Sequence, residues 1–70
     1  MNKTRMRQLT EALTGDANKL SRILKGVSTV VEIDYMISQE SNGRSRERIL
    51  RRLIGKRTTV ERQRLLENYL

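Results

Sequence analysis

Large aliphatic residues recur every three or four positions along most of this chain, and four glycines cut that pattern into segments of helical length. Glycine is unfavourable inside a helix and favoured just past its end, so Gly15, Gly26, Gly43 and Gly55 predict four helix boundaries. The first segment carries Met6, Leu9, Ala12 and Leu13 on one side. The second opens with Asp16 as an N-cap and stacks Ala17, Leu20, Ile23 and Leu24. In the third, Thr29 and Glu32 have capping-box spacing ahead of Val30, Val31, Ile33, Met36 and Ile37, with Tyr35 beside them. It is the most apolar and least basic segment, and so is expected at the centre of the fold. A fourth begins at Ser45 and gathers Ile49, Leu50, Leu53 and Ile54 on one arc, with Arg48, Arg51 and Arg52 opposite. A second capping box, Thr58 to Glu61, predicts a fifth helix running to the end. The expected fold is all-α: a single domain over residues 1–70, a compact bundle of about five short helices.

Composition narrows what such a bundle can do. Leu, Ile, Val and Met supply 21 of 25 apolar residues, which favours a folded core over disorder. With no His and no Cys, imidazole catalysis, thiol nucleophiles, disulfides and Cys/His zinc sites are excluded. Paired carboxylates in a recognisable setting and a glycine-rich phosphate loop are also lacking, so neither catalysis nor a cofactor is expected. No stretch has the roughly 20 apolar residues of a membrane span, and MNKTRMRQLTEALTG has no continuous apolar run after its charges. A cytoplasmic location is the expectation.

The charge is concentrated. Residues 1–43 carry six basic and five acidic side chains, and residues 44–70 carry nine and three. Seven of the fourteen residues in RSRERILRRLIGKR, 44–57, are basic, and arginine predominates. Its planar fork matches phosphate oxygens and the acceptor edge of guanine. Preceded by the turn ESNGR, this segment has the order of a helix-turn-helix reader, with the N-terminal end of its second helix toward the major groove. Arg44, Ser45, Arg46, Arg48, Arg51, Arg52, Lys56 and Arg57 are the candidate nucleic-acid contacts. A solvated surface with ordinary pairs such as Glu47 to Arg51 is the competing reading of the same residues. Only Tyr35 and Tyr69 are aromatic, so stacking on single strands is disfavoured and double-stranded DNA is the expected partner, with double-stranded RNA an alternative that phosphate contacts alone do not distinguish. Lys3, Arg5 and Arg7 read either as an arm on the phosphate backbone or as a frayed, solvated end. Leu65, Leu66, Tyr69 and Leu70 give an apolar end that packs on its own core or pairs with a second copy in a homodimer.

The stretch SQESNGRSRERILRRLI resembles the helix–turn–helix part of ribbon-helix-helix repressors, a runner-up fold. The resemblance implies a dimer whose groove contacts come from a strand near Ser21–Val27, with Arg22 and Lys25 as the reading residues. The segment DANKLSRILKGVST is weakly similar to the annexin repeat, but Ser28 stands where that loop takes glycine and Val30 and Val31 replace its acidic positions. A small DNA-binding transcriptional regulator is the leading expectation. The alternative is a protein-interaction module, a small inhibitor or adaptor, docking on an acidic partner through its helical surfaces.

Overall fold

The computed structural model describes residues 1–69. They form four helices: α1 Lys3–Thr14, α2 Ala17–Lys25, α3 Val30–Asn42 and α4 Glu47–Tyr69. No strand occurs among the described residues, so the expected all-α class is what forms. The runner-up ribbon is absent: Ser21–Lys25 lie in α2, because Leu20 and Leu24 follow the helical period that buries them against α1, with Ile23 partly buried beside them.

Three helix starts are set by capping side chains, of which Asp16 and Thr29 are the ones expected and Asn2 is new. Asn2 accepts the Arg5 N–H at 2.8 Å, Asp16 accepts the Lys19 N–H at 2.8 Å, and Thr29 accepts the Glu32 N–H at 3.3 Å. The Thr29 hydroxyl also donates to the Glu32 carboxylate at 3.0 Å, and the Arg5 guanidinium binds that carboxylate from α1. Burial alone would raise the Glu32 carboxyl, but the hydrogen bonds from Arg5 and Thr29 and the Arg5 charge outweigh it and hold it below the usual range. The basic N-terminus is therefore a helix whose Arg5 is tied to α3.

Helix α3 is the centre. It packs against α1 on one side and along α4 on the other, burying Ile33 and Met36 completely. Leu9, Ala12 and Leu13 from α1, Leu20 and Leu24 from α2, Val27, and Leu53 from α4 close the core around them. Each such aliphatic side chain contributes about 1.5–3 kcal/mol when taken fully out of water. Tyr35 packs at the edge of this core, its hydroxyl 2.9 Å from that of Thr10.

Four helices stand where five were expected, because Gly55 lies inside α4. The pull of the core decides this: Leu53 and Val60 are both buried, seven residues and two turns apart, so one continuous helix carries both to the same side. Their burial outweighs the roughly 1 kcal/mol cost of an internal glycine. The anticipated second capping box does not form. The Thr58 hydroxyl instead donates back to the Ile54 carbonyl, as a threonine inside a helix does. At about 1.5 Å per residue, α4 accounts for most of the 38 Å long axis.

Helices α3 and α4 form an antiparallel hairpin, in place of the short helix-turn-helix pair expected. Glu40 meets Arg46 at the turn, Asp34 meets Arg57 one stage further, and Val30 shares a groove with Leu65 at the open end. The turn also departs from expectation. Ser45 is not the cap of α4: its φ is +50°, and its N–H donates to the Glu40 carbonyl at 2.7 Å. A left-handed serine is strained by about 1 kcal/mol, and it sits where the chain must reverse within four residues.

Candidate nucleic-acid interface

The eight candidate contacts divide by what already holds them. Arg46 is engaged inside the fold. Its backbone N–H donates to Glu40 Oε2 at 2.8 Å, its Nε to the same oxygen at 3.0 Å, and its Nη2 to Oε1 at 2.8 Å. Nη2 also reaches the Leu13 carbonyl of α1 at 2.6 Å. Glu40 is 3 % exposed, and these hydrogen bonds hold its carboxyl below the usual range despite the desolvation that opposes them. The same contact raises the Arg46 guanidinium further above its ordinary value. Arg57 is similarly occupied: Nε binds Asp34 at 2.7 Å, Nη1 binds Glu61, and its pKa is raised, chiefly by the Asp34 hydrogen bond.

This arrangement changes the electrostatics of the α4 N-terminus. The first turn of a helix attracts anions through its unsatisfied N–H groups. Here the Glu40 carboxylate accepts the N–H of Arg46, whose own carbonyl receives the Leu50 N–H of the first α4 turn. An internal anion thus serves the end expected to face phosphates. The cations left open to a ligand are on the flank of α4.

That flank is basic. Arg48, Arg51 and Arg52 are exposed on α4, and Arg44 is exposed in the turn before it. Arg51 pairs with Glu47, but these side chains are 79 % and 76 % exposed, and such a pair is worth only about 0.3–0.5 kcal/mol. Arg52 donates to the Ser21 hydroxyl and so bridges α4 to α2. Among the described residues, no carboxylate lies within ion-pair distance of Arg44, Arg48 or Arg52. Lys56 is half-buried on the core side of this strip, and Ser45 is exposed beside Arg44. A cleft of about 290 Å³ opens between the α1–α2 corner and the start of α4, with Ala12, Leu20 and Ile49 in its lining and Arg48 and Arg52 beside them.

One further basic residue belongs to this surface, and the sequence reading missed it. Arg62 is exposed two turns beyond Gly55 and falls on the same side of α4 as Arg48 and Arg51. The seven-residue interval between Leu53 and Val60 was the signal for it, since that interval keeps one helix in phase across Gly55. Arg22 and Lys25 are exposed in the last turn of α2, close in sequence to the Ser21 that Arg52 holds. They are helical residues and not the strand positions that the repressor resemblance implied.

The far end of α4 is different in kind. Every described residue after Val60 is exposed, including Leu65, Leu66 and Tyr69, the last at 87 %. Val31 at the start of α3 is exposed as well. Leu70, the fourth apolar residue of that expected patch, lies outside the described residues. Among the described residues, no helix is long and apolar enough to cross a membrane. Comparison with family models, with curated proteins and with solved structures finds no match for this chain.

Proposed function

We propose that this chain is a small DNA-binding protein, a transcriptional regulator in the simplest case, that grips duplex DNA with the outer flank of α4. The observation that carries this is the exposed strip of Arg48, Arg51 and Arg52 along the flank of α4, with Arg44 in the turn before it and Arg62 beyond it. Cations held out on a rigid helix neutralise phosphates and release condensed counterions, which is the main source of sequence-independent affinity. Arginine adds the forked geometry that reads guanine in the major groove. Arg46 and Arg57 support the strip from within by fixing the register of α3 on α4.

Duplex is favoured over single strand by the aromatic inventory. Tyr35 is committed to Thr10 and the core, which leaves Tyr69 as the only exposed ring. A shift assay on random-sequence duplex beside a single strand of equal length tests the reading. Preference for duplex at low salt supports it; equal or absent binding of both opposes it.

A second, protein-facing reading rests on a separate observation, the exposed Leu65, Leu66, Tyr69 and Val31. Exposed aliphatic and aromatic groups grouped on one helix end suit a helix-to-helix contact. If a second copy of this chain takes that contact, the two-fold product carries two arginine strips and spans two half-sites. A protein partner with no nucleic-acid role is the alternative within this reading.

A further inference from the structure

Gly55 is an unforced glycine. It lies in the interior of a 23-residue helix, has no positive φ, and a Cβ built on it meets no atom of the fold within 4 Å. Alanine there would fit, and would favour the helix. No packing contact among the described residues calls for a bare backbone at this point, which leaves it open to a partner from outside.

Its surroundings say what kind of outside. Gly55 is two turns, seven residues, from Arg48 on one side and from Arg62 on the other. Arg51 and Arg52 are one turn before it, and Thr58 and Thr59 one turn after. Both threonine hydroxyls donate inward, to the carbonyls of Ile54 and of Gly55 itself, each at 3.2 Å, so the flank stays low between the arginines. The profile is a saddle: long cationic side chains at both ends and exposed backbone at the midpoint. Bare backbone is what a glycine offers where a chain must come close to another surface.

We infer that Gly55 is the point of closest approach between α4 and a nucleic-acid backbone, with Arg48, Arg51 and Arg52 reaching around one side and Arg62 around the other. This rests on the duplex-binding reading above and names its contact geometry. It makes Arg62 a phosphate contact and Gly55 a positioning residue that admits the polymer to the depth at which all four arginines engage.

The test uses the full chain and two substitutions, Gly55→Ala and Gly55→Leu, measured by thermal melting, light scattering and titration of a 20-base-pair duplex. Gly55→Ala raises Tm by about 4 °C, as an exposed helical glycine replaced by alanine should, while weakening duplex binding by about 5-fold. Gly55→Leu weakens it by about 50-fold or more without loss of fold. A Gly55→Leu chain that binds duplex as tightly as the natural chain overturns the inference and leaves the duplex reading standing. A natural chain that shows no salt-dependent duplex binding removes the reading itself. If the natural chain is a dimer that Gly55→Leu separates, the bare backbone serves helix packing between copies, and the inference is again overturned.

Discussion

The carboxylate of Glu40, at the end of α3, receives both the backbone N–H and the guanidinium of Arg46, at the start of α4. One side chain therefore closes the hairpin turn, supplies the anion at the α4 N-terminus, and keeps an arginine out of the solvent-facing set. Glu40→Ala leaves the Arg46 groups without their partner and should lower stability by about 2–3 kcal/mol. Chemical denaturation checks this. Arg46→Ala should also destabilise, whereas Arg48→Ala should leave the midpoint unchanged.

Acid should weaken the fold through the same contact. The Glu40 and Glu32 carboxyls are both held below the usual range when folded, so the unfolded chain binds protons first as pH falls. Their contribution is fully present above the ordinary glutamate value of about 4.3 and disappears as pH drops through their lower folded values. A melting series from pH 7 to pH 2 should therefore be flat near neutrality and fall below about pH 4. Glu40→Gln should flatten that fall; a fall of undiminished size in the variant would contradict this role for Glu40.

Neighbouring residues on α4 should differ sharply. Leu53 is 0 % exposed and Ile54 53 %. Leu53→Ala should cost about 2–5 kcal/mol as a core truncation. Ile54→Ala should stay within about 0.5 kcal/mol, the usual range for surface positions. Equal effects in denaturant titrations would mean that the register of α4 on α3 is wrong.

The end of α4 should matter for association and not for folding. Leu65→Ser combined with Leu66→Ser removes exposed apolar surface and should leave Tm unchanged within a few degrees. If copies pair there, light scattering should give a smaller mass for the double variant than for the natural chain. Equal masses would take those residues out of any self-association.

Much of the fold was legible in the sequence. Periodicity and caps located α1, α2 and α3 because Asp16 and Thr29 act locally, through hydrogen bonds to N–H groups three residues on. The end of α3 was legible for a similar reason, since Gly43 closes it with N–H bonds to Gln39 and Glu40. Gly55 misled, because a helix stop is a local preference of about 1 kcal/mol. The competing term, burial of Leu53 and Val60 on one face, appears only once α3 is packed beside them. The arginine segment was visible as a concentration of charge, but its division into held and free members was not. Arg46 and Arg57 find Glu40 and Asp34 through the antiparallel register, and Arg46 finds the Leu13 carbonyl through the docking of α1. Those partners lie 6, 23 and 33 residues away in sequence.

The account stands most directly on the salt dependence of duplex binding, measured for the natural chain and for a triple variant carrying Arg48→Ala, Arg51→Ala and Arg52→Ala. With Arg48, Arg51, Arg52 and Arg62 on phosphates, a plot of log affinity against log salt should slope by about −3.6, steeper by about 0.9 if Arg44 joins them, and the variant's slope should be shallower by about 2.7, at roughly 0.9 per contact. Both chains should stay folded and melt within a few degrees of each other, since the variant keeps the core and loses only the surface contacts of Arg52 with Ser21 and of Arg51 with Glu47. A natural chain whose affinity ignores salt, or a variant whose slope equals that of the natural chain, would contradict the claim that the flank of α4 holds the polyanion.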